Sequence, residues 1–419
     1  MSAYLLPSDV MLPDFSRVDG QKWAVVACDQ YTSEPAYWLS TKELVGDAPS
    51  MLSLILPELW LDRTEELVPT IHECMDAYVR DVLVTHPNTM IYLERTQSNG
   101  AVRRGLVGMV DLEHYDYNAG STSLIRATEG TVLERIPPRL AVRRGAGLES
   151  PHVMLLIDDP EKTVIEPIAE RSASFAPAYE FDLMQGAGHV KASFVDTYGI
   201  GRISLALEQL IAPERVAARY GKGAEPLLFA VGDGNHSLAT AKAAYEEIKA
   251  TYGEQAAKNH PARYALVEVV NLHDDALHFE PIYRVLFNVD VDDVLNELQA
   301  YSYAQQGVAN PQKAKFVSAK RRGTMYFMNP TEQLITGTLQ TFIDRYLEKH
   351  PEAHVDYIHG IKTTEELSRA ENAIGFLYAG LEKNKLFRAV IKDGALPRKT
   401  FSMGAAADKR FYLECRKIK

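Results

Sequence analysis

Apolar and polar positions along this chain follow two periods, and the change from one to the other is sharpest at a single place. Leu227-Leu228-Phe229-Ala230-Val231 is an unbroken apolar run of strand length, and Leu238, Ala241, Tyr245 and Ile248 then recur at helical spacing. Between them lies Gly232-Asp233-Gly234-Asn235-His236-Ser237. The pattern predicts a buried strand, a tight polar turn and a helix with one face inward, Ser237 serving as its N-cap.

Other segments read in the same way. Lys22 to Ala27, Met90 to Leu93, Leu106 to Leu112, Val153 to Ile157, Ala265 to Val270, Val285 to Val289 and Ile374 to Tyr378 have strand character. Lys315 to Phe327 reads as two strands around a turn near Arg321-Arg322-Gly323. Helices are predicted over Pro69 to Val84, between Pro137-Pro138 and Gly145, over Leu205 to Ile211, over Pro213 to Tyr220 and over Asp292 to Tyr301. Strands and helices intermingle without repeats or low-complexity tracts, so the expected fold class is mixed α/β (α+β). Composition shifts are faint. Breaks near Gly201 and near Gln306 to Gln312 divide the chain into an N-terminal α/β region (1–200), a region with the glycine turn (201–305) and a C-terminal α/β region (306–419), which together could form one continuous unit.

The composition narrows the classes of function. The chain has 419 residues, 46% hydrophobic and 24% charged, which is ordinary for a globular protein with an ample core. Its 45 Lys and Arg against 56 Asp and Glu give a net charge of -11, which argues against broad contact with nucleic acid or anionic membrane and leaves room for a local basic pocket. Cys28, Cys74 and Cys415 are far apart and form neither a disulfide framework nor a metal-type pair. The start of the sequence lacks the pattern of a signal peptide, and Met51 to Leu61, the most apolar stretch, is too short to span a bilayer. A cytoplasmic location is the expectation.

A strand that ends at a helix start is a natural anion site, because the first helical N–H groups lack in-helix acceptors and face the positive end of the dipole. Gly232 and Gly234 would admit a ligand close to the backbone, while Asp233 and His236 offer a base, a metal ligand or a proton relay. The plainer alternative is a tight turn in which Asp233 bonds its own backbone. The string is neither a Gly-x-x-x-x-Gly-Lys loop nor a Gly-x-Gly-x-x-Gly fingerprint. Its echo of metallophosphoesterase motifs fails too, since those lie apart in sequence and here they overlap.

Other constellations carry candidate chemistry as well. Ile125 to Arg144 is the densest basic segment. Arg139 and Arg143 share a helix face there, either as forks for phosphate or carboxylate or as a solvated face paired with Glu129 and Glu134. Gly186-Ala-Gly188-His189-Val-Lys191 is a polar turn that either lines a site or closes a surface hairpin. Asn271 to Arg284 holds His273, His278, Asp274, Asp275 and Glu280, which could serve a metal or simply occupy a loop. Pro397-Arg398-Lys399-Thr400 places cations beside a hydroxyl, as an anion site or a strand edge.

With those residues in view, the chain resembles the domain of unknown function 1015 family. Asp233-Gly-Asn-His-Ser237 resembles its Asp-Gly-His-His-Arg signature in the Asp-Gly-Asn-His-Ser form. Ile125-Arg126-x-x-Glu129-x-Thr131, His278-Phe-Glu-Pro281-Ile-Tyr283-Arg284 and Pro397-Arg-Lys399-Thr400 resemble three further elements. More distantly, Asp-Gly-x-His before a helix is similar to the motif of the ParB/sulfiredoxin superfamily, which includes nucleotide-binding proteins and free-serine kinases. That resemblance implies a ParB/sulfiredoxin-like core around the turn, with additional α/β elements. It also implies phosphate held by Gly232, Gly234, Asn235 and Ser237. Ser237 replaces the signature Arg, so another cation must substitute, with Lys242, Arg126 and Lys399 as candidates.

Asp233, His236 and Asp29 are the implied catalytic groups, and Glu129, His189 and Arg284 the substrate-binding ones. The expectation is an enzyme that transfers or hydrolyses phosphate on a small metabolite, in its sharpest form a kinase for free serine or a similar hydroxylated compound. It would use Mg2+ with a nucleotide or pyrophosphate donor and have no resident metal site. A nucleotide sensor without turnover is the alternative, and a nucleic-acid enzyme of ParB type a weaker one.

Overall fold

The computed structural model describes residues 4–32, 34–118, 120–130, 136–397 and 399–419. Two compact units emerge, and neither is a contiguous stretch of sequence. The first comprises Met1–Ala127, Thr131–Leu277 and Ala405–Lys419, and the second Thr128–Gly130 and His278–Gly404. Gly201 lies inside a helix, Thr197–Leu210, of the first unit. The architecture is mixed α/β in both units.

The first unit is organised on a mixed sheet that has nine strands among the described residues. In spatial order they are Ala176–Asp182, His189–Phe194, Ile91–Thr96, Val102–Asp111, Tyr264–Asn271, Met154–Ile157, Phe229–Asp233, Ile125–Ala127 and Tyr115–Asp116. Successive side chains of a strand face opposite ways. Ile91 and Leu93 accordingly enter one core cluster with Trp23, Trp38 and Met75, while Tyr92 enters the other with Leu155, Val231 and Tyr245. Both faces are covered, which explains why the central strands read as continuous apolar runs rather than alternating ones.

The Phe229–Asp233 strand sits deep in this sheet, parallel to Ile125–Ala127 and antiparallel to Met154–Ile157. The helix that follows, Asn235–Tyr252, buries Leu238, Ala241 and Tyr245 against the sheet. Its Ala239 and Ala244 meet Ile136 and Leu140 of a second helix, Ile136–Arg143. The small side chains let the two helices come close, which sets that second helix beside the turn.

The second unit has its own sheet, ordered Arg322–Phe327, Gln312–Ser318, Ala373–Leu377, Phe279–Phe287 and His354–His359, with Phe401–Met403 paired to Phe279–Phe287. Helices Val291–Ala304 and Ile335–Lys349 contribute Leu298, Leu339 and Phe342 to its core. Among the described residues no helix is long and apolar enough to cross a membrane.

Most predicted elements are present with shifted ends. The largest change is at Lys22 to Ala27, where a short helix, Gly20–Trp23, precedes a two-residue strand, Val25–Val26. Asp19 caps that helix by accepting from the Gln21 N–H, a local bond that overrides the apolar run.

Candidate active site

The glycine turn owes its shape to two backbone irregularities. Val231 pairs with Leu155 and Asp233 with Met154, so Gly232 is the extra residue of a β-bulge that re-aims the end of the strand. Gly234 then takes φ of 80° and is the helix N-cap. A Cβ on Gly234 would lie 3.0 Å from the Val153 Cα, so glycine is required for conformation and for space. Ser237 is therefore the third helical residue and not the cap, a correction to the sequence reading.

Displaced from capping, the Ser237 hydroxyl meets a histidine. Its Oγ is 3.0 Å from His152 Nε2, and His152 Nδ1 is 2.7 Å from the Tyr412 hydroxyl. Tyr412 in turn lies 3.1 Å from Cys28 Sγ and accepts from the Cys28 N–H at 3.4 Å. Burial, with the adjacent Cys28 and Asp29, holds the Tyr412 phenol well above its usual pKa, so it stays protonated. If that proton points to Cys28, the His152 Nδ1–H donates to Tyr412 and Nε2 is left to accept from Ser237. If it points to His152, Nε2–H donates to Ser237. The ring is a two-way relay between a helix-start hydroxyl and a buried phenol.

The acids lie beside it. Asp233 Oδ1 accepts from the Gly234 N–H at 3.0 Å, the self-bonded turn weighed above, while Oδ2 is 3.4 Å from Lys409 Nζ. Burial pushes the Asp29 carboxyl up, but His152, a hydrogen bond from Gln30 and the charge of Lys409 together hold it below its ordinary value. Asp29, Asp233, Lys409, His152 and Ser237 thus form one polar group at the start of the helix. Burial first, and the charge of Asp29 second, push the Cys28 thiol up to about 11, so it is no thiolate at neutral pH.

The other expected residues fall elsewhere. Lys242 donates to the Leu112 carbonyl at 3.0 Å and pairs with Glu246 at 2.9 Å. It lies seven residues beyond Asn235, about 10 Å along the axis at 1.5 Å per residue, so it is not the cation of the turn. Arg126 is buried and donates to the carbonyls of Ser123 and Pro226, at the opposite end of the strands from the turn. It braces two loops. His189 bonds Asp182 at 2.7 Å in the outer hairpin of the sheet. Five strand spacings separate its strand from Phe229–Asp233, about 24 Å across the sheet, so the surface-hairpin alternative describes it. His236 is half-buried and bonded within the fold, its carbonyl accepting from Thr240 at 2.7 Å.

Glu129, Arg284 and Lys399 come together in the second unit. Glu129 accepts from the Lys399 N–H at 3.1 Å, Arg284 donates to the Lys399 carbonyl at 3.1 Å, and both cations lie over the Tyr357 ring. Arg284 is fully buried and also bonds Tyr378 and Gln340. Thr131, Glu134 and Arg398 lie outside the described residues. In the segment read as a possible metal loop, His273 bonds Asp158 at 2.6 Å and Asp274 accepts from the Ala276 and Arg104 N–H groups, which is loop closure. Among the described residues, the grouping of three metal-type donors is Asp293, Glu297 and His350 in the second unit.

Three participants had no signal in the sequence: His152, Lys409 and Tyr412. His152 is 85 residues from Ser237, and Lys409 and Tyr412 belong to the returning segment Ala405–Lys419. Buried charge pins that segment, with Arg410 3.1 Å from Glu268 and also paired to Glu414, and with Tyr179 donating to Glu414.

These features define a mixed α/β protein with a polar site at a strand-bulge-helix junction. The chain belongs to the family described as protein of unknown function DUF1015, whose profile matches residues 14–350. No curated protein matches it by sequence. Among solved structures, it is similar to a variant of free serine kinase in complex with AMP, at 10% identity and a TM-score of 0.38, over 73% of this chain and 91% of that one. A conserved hypothetical protein from Pyrococcus furiosus aligns at 11% identity and a TM-score of 0.34, over 75% and 95%. SbnI from Staphylococcus aureus, truncated at its C-terminus, aligns at 10% and 0.34, over 71% and 83%.

Proposed function

We propose that the first unit binds a phosphate-bearing ligand, a nucleotide or pyrophosphate, at the Gly232–Ser237 turn and moves its terminal phosphoryl group to a small hydroxylated acceptor. The observation that carries this reading is Lys409. It stands 3.4 Å from Asp233, and its charge reaches Asp29, at the positive end of a long helix whose inner face is buried. Phosphoryl transfer needs cationic groups on the spreading charge, an in-line hydroxyl and a group to take its proton. Lys409 and the helix start supply the first, and the Ser237–His152 relay supplies the last.

Asp29 and Asp233 are hard oxygen donors of the kind Mg2+ takes together with substrate phosphates. They are the residues that would hold it, and when bound it would neutralise charge between the donor phosphates. Asp29 stays ionised beside His152, whose ring is oriented by Ser237 and Tyr412, and the Asp233–Gly234 bond fixes the turn.

Phosphorus NMR of the protein with Mg2+, an acceptor and ATP, ADP or pyrophosphate in separate tubes tests this. A new phosphomonoester signal is expected, reduced about a hundredfold or more in Asp233→Ala with the fold intact by circular dichroism. Full turnover in folded Asp233→Ala, or bound nucleotide with no product in any tube, would sink the transferase.

A further inference from the structure

A cavity of about 160 Å³ opens beside the relay, lined wholly by residues of the first unit. Cys28, His152, Ser237 and Tyr412 form its polar end, and Met51, Leu54, Leu56, Met75, Val142 and Leu148 its apolar wall. The charged side chains of the lining itself are paired, Arg139 with Glu58 and Arg143 with Glu149 at 2.6 Å, and Glu149 also takes Arg416 from behind the wall. Two polar atoms at the wall, Ser150 Oγ and Arg143 Nε, are buried without a hydrogen-bond partner.

From this lining we infer that the cavity is the acceptor pocket, and that the acceptor is a small neutral alcohol with an apolar body. The inference rests on the phosphoryl-transfer reading of the turn. A cavity of about 150 Å³ holds a ring the size of benzene, so the body has about six non-hydrogen atoms. The paired wall charges leave a charged ligand little beyond the Arg143 Nε–H, and a zwitterion such as free serine would lose hydration against Leu and Met with little in return. Methionines at two wall positions adapt to differently shaped bodies. The hydroxyl faces the polar end, where Ser237 and His152 can take its proton; Thr240, Ser150 and the paired charges are the other polar groups of the lining. In the reaction the acceptor oxygen bonds to phosphorus as phosphorus parts from the leaving oxygen of a nucleoside polyphosphate, which keeps the bonding pair. The acceptor proton passes through Ser237 Oγ to His152 Nε2, and the phosphate ester and shortened nucleotide depart.

The test offers benzyl alcohol, 3-methylbutan-1-ol and free serine to the full chain, with binding read by ligand-detected NMR and nucleotide binding read separately by calorimetry. Benzyl alcohol is expected to bind saturably and to be phosphorylated in preference to serine. Val142→Trp fills the cavity from a partly exposed helix position and should weaken alcohol binding about tenfold or more, leaving nucleotide affinity within about twofold. Met75→Phe serves if Val142→Trp does not fold. Bound nucleotide with serine the preferred acceptor would overturn the inference and keep the proposed function. Alcohol binding that Val142→Trp abolishes, in a protein that binds no nucleotide, would keep the pocket and overturn phosphoryl transfer.

Discussion

Lys409 and Cys28 each give the electrostatics of the turn a test. Lys409 is one of the partners that keep Asp29 ionised against burial. A carboxyl depressed in the fold contributes stability above its unfolded pKa and loses it as pH falls through the folded one. Removing the cation in Lys409→Ala should raise the Asp29 pKa, so that acid loosens the site at a higher pH than in the wild type. Carboxyl-detected NMR titration measures this directly, and an unmoved Asp29 would break the link between Lys409 and the turn. Cys28 makes the opposite case. Burial and Asp29 lift its thiol to about 11, so iodoacetamide at pH 8 should label Cys74 ahead of it in the native protein, although both side chains are partly exposed. Peptide mass mapping reads the order, and fastest labelling at Cys28 would make it a nucleophile and recast the relay. Asp29, Asp233 and Ser237 were legible in the sequence because each sits at the end of an apolar run. His152 was not, because its only sequence mark is its place before a strand, which any core histidine could share.

At the scale of elements, the strand-bulge-helix junction was readable and its internal geometry was not. An unbroken apolar run located Phe229–Asp233, and helical spacing of apolar residues located the inward face of the helix. The bulge at Gly232 depends on register with Met154–Ile157, a pairing no local pattern encodes, and it moved the cap from Ser237 to Gly234. Lys242 was misplaced for a related reason: helical phase shows which face a residue occupies, but only rise along the axis shows whether it reaches the end. Gly234→Ala tests the junction. Its positive φ and the 3.0 Å approach to Val153 should cost about 1–3 kcal/mol and weaken phosphate binding together. Urea unfolding with phosphate titration would show it, and an unaffected variant would mean the turn relaxes without loss.

At the scale of the whole molecule, mixed α/β architecture was legible from the intermingled periods. The interrupted first unit was not, because the contacts that close it join residues hundreds of positions apart. The buried Arg410, with Glu268 and Glu414, is where that closure concentrates. Arg410→Met leaves buried Glu414 without its cation and Glu268 with Arg103 alone, and the first unit should lose about 3–5 kcal/mol of stability. Activity should fall with it as Lys409 and Tyr412 shift. Chemical denaturation followed by intrinsic fluorescence measures the loss, and a variant as stable as the wild type would show that the returning segment is held by packing alone.

The same interruption sets an order of events during synthesis. A ribosome delivers the glycine turn, His152 and Cys28 early, but must translate all of His278–Gly404 before Lys409 and Tyr412 emerge. Domains generally fold as they are made, from the N-terminal side. The nascent chain therefore carries a sheet with its hydroxyl and imidazole in place and no cation or phenol to complete them. The polar group at the turn is thus the last part of the first unit to be completed, by a segment made after the whole of the second.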